Sequence, residues 1–394
     1  MATIWTPRLD EASRNWRDVA ADLTTRHFAP RAPEIDREQR YPAENVELLY
    51  DSGIATMFLP SAYGGGGASL MAFCAAMEQM AGGCASTSGI AATLQLGATP
   101  VLLGGSPEQK AKFLGAVARD RKAISFALSE RNAGSDPAAM ETVATREGTG
   151  WRIRGEKCWI GNGGICDLYV VFAQTAPGTG RRGIAAFIVD SDADGVDDEA
   201  REDKMGMRGT VNASVVLDTW VPADRLLSPP GSALRLALAT LNIGRITVAA
   251  QSIGLAIAAY EAACRRAVER TTFGSPLIDH QGVGFKLADL ATRISAGRML
   301  AFEAAYAYDE GEDVTAIGAQ AKLFCSEVAH EAADVGVQVF GGQGFVKPNL
   351  VERIYRDQKA TEIYEGTSEI QRLVLARAIK SEFKSLEERL CAAE

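Results

Sequence analysis

Apolar residues in the last third of the chain have a helical spacing. They recur at alternating steps of three and four, which places them on one face of a helix. The spacing predicts helices over Ala233–Glu269, Gln281–Asp309, Thr367–Arg389 and around Val328–Val339. Only two of the fourteen prolines follow Pro230, so little interrupts these helices. Several long helices joined by short turns predict an antiparallel four-helix bundle.

The middle of the chain contains short runs rich in β-branched and aromatic residues, separated by turn residues. They predict strands over Ile124–Ser129, Trp151–Arg154, Leu168–Ala173, Ile184–Val189 and Ala213–Leu217. Earlier in the chain, helices are predicted over Glu44–Asp51, Leu70–Met80 and Gly89–Leu103. The predicted fold class is mainly α with a central β domain. Its domains are N-terminal helical (1–121), middle β-barrel-like (122–230) and C-terminal helical bundle (231–394).

Composition and charge argue against several classes of protein. With 41 Lys and Arg against 50 Asp and Glu, the formal net charge is −9, which disfavours nucleic-acid binding because that needs clustered cations. The chain starts without a secretory signal, and no apolar window reaches the ~20 residues of a membrane span. We therefore expect a cytoplasmic protein without membrane insertion. Seven cysteines without a CxxC pair and three scattered histidines predict no metal site.

Three segments carry residues suited to catalysis: ALSERNAGSD (127–136), KCWIGNG (157–163) and IYEGTSEIQ (363–371). In these segments, and in their order along nearly the whole chain, the sequence resembles the acyl-CoA dehydrogenases. The resemblance implies FAD as cofactor and the α,β-dehydrogenation of an acyl thioester to the 2,3-enoyl thioester. In that reaction a base removes the α-proton and the β-hydride goes to flavin N5.

Glu365 is the predicted catalytic base. The α-proton of a thioester is weakly acidic, so the carboxylate that removes it needs an apolar surrounding that moves its pKa toward the working pH. The resemblance gives this role to Glu365, and it implies that the Glu365 N–H and an FAD hydroxyl bind the thioester oxygen. Taken alone, a glutamate just before a helix is often solvated. Ser368 and Gln371 fit a capping box that would start such a helix.

The resemblance also assigns residues to the FAD. Positions around the isoalloxazine ring correspond to Phe126, Leu128, Ser129, Trp159, Ile160 and Gly161. Positions at the pyrophosphate and adenine correspond to Arg270, Phe273, Gln281, Gln338, Gly341 and Gly342, and those on the adenosine side to Thr367 and Glu369. In the family, Arg270 and the Gln338 loop serve the FAD of a neighbouring subunit. This implies a homodimer or a homotetramer.

Substrate-binding residues are predicted on one helix and in two loops: Ser135, Asn242, Arg245, Tyr364 and Gly366. Arg245 interrupts the apolar stripe of its helix, and a buried arginine needs a partner. Some relatives carry the base beside this arginine, where this chain has Gly244, so Glu365 has no rival there. CoA and acyl carrier protein present the same phosphopantetheine arm, and no residue distinguishes them.

Two segments depart from the family pattern. Glu130-Arg131-Asn132 replaces glutamate-proline-glycine, and Gly161 replaces the threonine or serine whose hydroxyl bonds flavin N5 in the family. The missing hydroxyl leaves two electron acceptors open: an electron-transfer flavoprotein, as for a dehydrogenase, or O₂, as for an acyl-CoA oxidase. A flavin monooxygenase on this fold would usually lack the base. A non-catalytic helical binding protein is disfavoured by Glu365, Arg270 and Gln338.

Overall fold

The computed structural model describes residues 3–391, without the side chains of residues 199, 200 and 385–391. The ends of the predicted terminal domains, 1–2 and 392–394, lie outside the described residues. Helices are followed by a β-sheet and then by a second set of long helices, which confirms the predicted fold class.

The N-terminal part is helical. Its helices are α1 (Glu11–Leu23), α2 (Ala29–Glu38), α3 (Ala43–Asp51), α4 (Leu70–Gly83), α5 (Ala85–Gly104), α6 (Pro107–Gln109) and α7 (Gly115–Arg119). The spacing of apolar residues did not predict α1 and α2, because both are rich in charged residues and α2 contains Pro33 in its interior. Ser69 caps the start of α4, because its hydroxyl accepts a hydrogen bond from the Ala72 N–H.

The middle part is one eight-stranded mixed sheet. Its strands are β1 (Ile124–Ala127), β2 (Val143–Glu147), β3 (Gly150–Gly161), β4 (Leu168–Gln174), β5 (Ile184–Asp190), β6 (Val196–Arg201), β7 (Asn212–Pro222) and β8 (Leu226–Ser228). The order is β6-β7-β3-β2-β4-β5-β8, and β1 pairs with β4 in parallel. Strands β2 and β6 were not predicted because they are polar and lack an apolar alternation.

Strand β4 is buried on both faces. Val170 and Phe172 belong to a core shared with α5 and α7, whereas Val171 points the other way and packs with Ile153 of β3 and Val215 of β7. One face of the β4–β5 pair therefore packs against β3 and β7 of the same sheet, and the opposite face packs against helices of the N-terminal part. Burial on both sides explains why β4 is a continuous apolar run.

The C-terminal part is a bundle of long helices. They are α8 (Ala233–Glu269), α9 (Gln281–Asp309), α10 (Thr315–Phe340), α11 (Leu350–Gln358) and α12 (Ser368–Cys391), and α8 and α9 have the predicted bounds. Helix α8 packs against α10, α9, α4 and α5. By length and composition α8 is apolar enough to cross a membrane, so the expectation that no window reaches this length is wrong. Because 78% of its apolar window is buried inside the protein, α8 is accounted for as a core helix.

Candidate active site

Glu365 lies in the turn that precedes α12, with its backbone in the left-handed region (φ 55°). Such a conformation costs a non-glycine residue about 1–3 kcal/mol, so surrounding contacts must maintain it. The Gln371 side chain provides two of them, because its Nε2 donates to the carbonyl oxygens of Glu365 (3.1 Å) and Gly366 (2.7 Å). The predicted capping box is therefore wrong. Thr367 caps the helix, with its Oγ1 accepting from the Ile370 N–H at 3.4 Å.

The Glu365 carboxylate lies against α8. A Cβ added to Gly244 would stand only 2.6 Å from Oε2, so the glycine leaves the space that the carboxylate occupies. Oε2 is buried and has no hydrogen-bond partner among the described residues. Burial raises the pKa of Glu365 to about 7, while the charges of Arg245 and Lys322 oppose the rise. A carboxyl group that titrates near neutrality is suited to accept a proton at that pH.

Arg245 is 4% exposed and lies beside this carboxylate. Its Nη1 donates to Asn242 Oδ1 at 2.7 Å, and its Nε donates a longer hydrogen bond of 3.4 Å to the Glu365 carbonyl oxygen. Asn242 Nδ2 in turn donates to Thr315 Oγ1 at 3.1 Å. Burial lowers the pKa of Arg245, and the charge of Glu365 opposes this. Asn242 and Glu365 thus provide the partners that a buried arginine requires.

Lys322 is a charged neighbour of Glu365 that the sequence analysis missed. It is fully buried on α10, and its Nζ has no hydrogen-bond partner among the described residues. Burial lowers the pKa of Lys322 to about 8, and the charges of Glu365, Glu362 and Glu369 oppose this. A sequence signal existed, because Lys322 interrupts a buried stripe of small residues on α10, as Arg245 interrupts the stripe on α8.

The predicted flavin-ring residues lie where β1 and β3 meet. The Cys158 N–H donates to the Ser129 carbonyl oxygen at 3.0 Å, and the pairing of β3 with β7 is irregular between Lys157 and Ile160. Within this bulge Trp159 has φ 58°, and its side chain is 51% exposed. Phe126 is half-buried nearby on β1. The side chains of Leu128 and Ile160 are buried in the core, so these two residues offer only backbone groups to a ligand.

A buried ion pair holds these two segments together. Lys157 Nζ donates to Glu130 Oε1 at 2.7 Å and to the Leu128 carbonyl oxygen at 3.1 Å. Burial lowers the pKa of Lys157 to about 8. Burial works against ionised Glu130, yet Lys157 and the backbone donors hold the pKa of Glu130 below its usual value. The departure at Arg131 falls in the exposed turn and leaves this pair intact.

Helix α5 connects the Glu365 turn with the flavin-ring segment. The Tyr364 hydroxyl donates to Gln251 Oε1, and Gln251 Nε2 donates to Ser88 Oγ on α5 at 2.8 Å. Five residues further along α5, Thr93 lies against Gly161. Five residues span ~7.5 Å of helix, so the structure brings the Glu365 turn and Gly161 to one region.

The remaining predicted residues lie elsewhere. Arg270 at the end of α8, Gln281 at the start of α9 and the Gln338–Gly342 segment at the end of α10 share one exposed end of the bundle. Phe273 is 100% exposed there. Twenty-five residues of α8 separate Arg245 from Arg270, which is a distance of ~37 Å. The structure therefore places these residues far from the Glu365 turn of the same chain.

Of three further predicted residues, Thr367 and Glu369 directly follow the Glu365 turn and Ser135 lies in another part of the chain. Ser135 is exposed in the loop between β1 and β2, Thr367 caps α12, and Glu369 is exposed in the first turn of α12. Among the described residues, no group of three or more His, Cys, Asp and Glu is arranged to hold a metal ion.

Family models match almost the whole chain. The acyl-CoA dehydrogenase N-terminal, middle and C-terminal domain models match residues 10–121, 125–220 and 232–380. The probable acyl-CoA dehydrogenase FadE25 of Mycobacterium tuberculosis is 40% identical over 374 residues, which are 94% of this chain and 96% of that protein.

Solved structures show the same similarity. Butyryl-CoA dehydrogenase from Megasphaera elsdenii superposes with a TM-score of 0.92 at 35% identity, over 95% of this chain and 100% of that one. A glutaryl-CoA dehydrogenase from Mycobacterium smegmatis in complex with FADH2 superposes with a TM-score of 0.89 at 26% identity, over 95% of each chain. The resemblance noted in the sequence is thus confirmed, and the chain belongs to the acyl-CoA dehydrogenase family of oxidoreductases.

Proposed function

We propose that this enzyme catalyses the FAD-dependent α,β-dehydrogenation of an acyl-CoA to its 2,3-enoyl thioester, with Glu365 as the base that takes the α-proton. The Glu365 carboxylate carries the proposal: Oε2 is buried, has no hydrogen-bond partner among the described residues, and belongs to a group with a pKa of about 7. Gly244 leaves the space that this carboxylate occupies. A base in this state is available near neutral pH without first giving up a hydrogen bond.

The residues around Gly161 fit a flavin. The half-exposed Trp159 indole stands in a strained bulge, and aromatic faces of this kind stack on planar rings. Phe126 on β1 and Ser129 just after it are half-buried, and the Ser129 carbonyl oxygen accepts from the N–H of Cys158, the residue before Trp159. FAD bound here would supply the acceptor for the β-hydrogen and its electron pair. Trp159 and the backbone of β1 would hold its ring, and the Glu130–Lys157 pair would hold those two segments in place.

The Glu365 turn would also orient the thioester. Glu365 is held at positive φ by Gln371 and Arg245, and its N–H donates no backbone hydrogen bond among the described residues. We infer that this N–H binds the thioester oxygen and carries part of the charge that develops when the α-proton leaves. Arg245, Asn242, Tyr364, Gly366 and the exposed Ser135 are the substrate contacts of this proposal.

We propose that the enzyme works as a homodimer or a homotetramer. Arg270 lies ~37 Å along α8 from Arg245, which is a substrate contact at the Glu365 turn, so Arg270 stands far from the active site of its own chain. Arg270, Gln281, Gln338, Gly341 and Gly342 would then hold the diphosphate of a neighbouring subunit, while Thr367 and Glu369 contact the adenosine side within one subunit. Several apolar side chains are exposed at the same end of the bundle, which favours a neighbouring subunit packing over this surface: Phe273, Phe345, Val346, Val268 and Phe285.

We propose that the enzyme passes its electrons to an electron-transfer flavoprotein and that the enzyme is located in the cytoplasm. The acyl-CoA oxidase reaction is a second candidate, because Gly161 carries no side-chain hydroxyl beside the flavin position. The two differ in how fast O₂ reoxidises the reduced enzyme.

The proposed reaction is tested by anaerobic bleaching of the bound flavin with acyl-CoA and acyl-carrier-protein thioesters of graded chain length. We expect bleaching by at least one acyl-CoA, with formation of its 2,3-enoyl product. Admitting air or an electron-transfer flavoprotein to the bleached enzyme then compares the two acceptors. A flavoprotein that no saturated thioester bleaches would contradict the proposed reaction.

Replacement of Lys322 by methionine is expected to move the acidic limb of the kcat/KM profile to higher pH. Lys322 holds the pKa of Glu365 below the value that burial alone would give, so losing this cation raises that pKa. The base acts when deprotonated, and a higher pKa therefore costs activity on the acidic side. Lys359→Met is the matched control, because Lys359 pairs with Glu362 at 2.6 Å. An unshifted limb in Lys322→Met would contradict this role.

A further inference from the structure

One face of α5 is pressed against the β domain. Gly89, Thr93 and Gly97 are four residues apart and share this face. A Cβ added to Gly97 would stand 1.7 Å from the Ile124 carbonyl oxygen of β1, and one added to Gly89 would stand 2.3 Å from Met207 Cε. Close contacts on both sides therefore fix the position of Thr93 relative to the sheet.

Thr93 occupies the space that a side chain at Gly161 would take. A Cβ added to Gly161 would stand 2.9 Å from Thr93 Cγ2 and 3.2 Å from Thr93 Oγ1. The Gly161 carbonyl oxygen is already bonded, since it accepts from Ser125 Oγ at 2.8 Å. Thr93 Oγ1 donates to the Gly89 carbonyl oxygen of its own helix at 2.9 Å, which leaves its lone pairs free to accept.

We infer that Thr93 supplies, from α5, the hydroxyl that Gly161 lacks beside flavin N5. The inference rests on the proposed function, which places the flavin at Gly161. Because the Thr93 hydrogen is committed to Gly89, the hydroxyl acts toward the flavin as an acceptor. Flavin N5 carries a hydrogen only when reduced, so an acceptor at this place favours the reduced flavin over the oxidised one. Thr93 is a positioning residue that biases the redox equilibrium of the cofactor.

Thr93→Val tests this without any acyl substrate. The bound flavin is equilibrated anaerobically with a reference dye of known potential, and the ratio of reduced to oxidised flavin is measured. We expect this ratio to fall by about three- to tenfold in Thr93→Val, the scale of one net hydrogen bond, and to stay unchanged in Thr93→Ser. Thr99→Val is the matched control, because the Thr99 hydroxyl makes the same type of bond, to the Gln95 carbonyl oxygen at 2.7 Å.

A double variant tests the exchange of positions. Gly161→Thr alone would place its side chain against Thr93, so we expect weaker FAD binding from this variant. Adding Thr93→Gly removes the obstacle, and the pair should regain FAD and bring the reduced-to-oxidised ratio back toward that of the parent. A Thr93→Val protein that holds FAD with the parent's ratio would overturn the inference and leave the proposed reaction standing. A parent protein that takes up no FAD would overturn both.

Discussion

We expect Glu365→Gln to retain FAD and to lower turnover by roughly 10²–10⁴-fold, the range associated with a general base. Glutamine has nearly the shape of glutamate, so it fits the space left by Gly244 and keeps the backbone contacts from Gln371 and Arg245. It cannot accept the α-proton at neutral pH. The loss should appear as slow flavin bleaching by an acyl-CoA in rapid-mixing experiments, with an unchanged flavin content.

A neighbouring carboxylate provides the control for this result. Glu362 lies three residues before Glu365, and its Oε2 pairs with Lys359 at 2.6 Å. Glu362→Gln removes the same charge from the same segment, and we expect turnover near that of the parent. Bleaching of Glu365→Gln at the parent's rate would show that another group takes the proton.

The second large effect is expected from Arg270→Ala, which should weaken FAD binding by roughly 10- to 100-fold and reduce the size of the oligomer at the same time. A hydrogen bond from an arginine to a diphosphate is charge-assisted and correspondingly strong. The substitution leaves the local backbone intact, because Arg270 contributes its N–H to the Arg266 carbonyl oxygen and its own carbonyl oxygen to the Leu277 N–H. Flavin content and light scattering measure the two effects.

Arg235→Ala is the control for this experiment. Arg235 is an exposed arginine in the first turn of α8, at the opposite end of the helix from Arg270. The substitution removes the same charge as Arg270→Ala does, but at a place far from the surface that Arg270 shares with Phe273 and Gln338. If Arg270→Ala keeps the parent's flavin content and size, the proposed contact with a neighbour's FAD is wrong.

Both variants test assignments that came from short motifs, and the structure changes what those motifs mean. Glu365 was identified from its motif, but its pKa of about 7 depends on burial against Gly244, 121 residues earlier in the chain. Arg270 was assigned to FAD, but its distance from Arg245 follows from the continuity of α8. In each case the residue was visible in the sequence, whereas its surroundings were not.

The sequence by itself determined the elements that depend on local pattern. The bounds of α8 and α9 follow from apolar residues that recur on one helical face between segments that break a helix. The positions of β4 and β5 follow from uninterrupted apolar runs. The strands β2 and β6 were missed because their residues are polar, and only pairing with β3 and β7 makes them strands.

Only the tertiary structure decided which side chains meet. Gln371 fits a capping box in sequence, yet it bonds to the backbone of Glu365 and Gly366, because positive φ turns both carbonyl oxygens toward it. Thr93 and Gly161 are 68 residues apart, and nothing local to either segment relates them. Their contact exists because α5 packs directly on β1. Spacing along a chain determines the face of an element on which a residue lies, but the packing of that face determines which residue it meets.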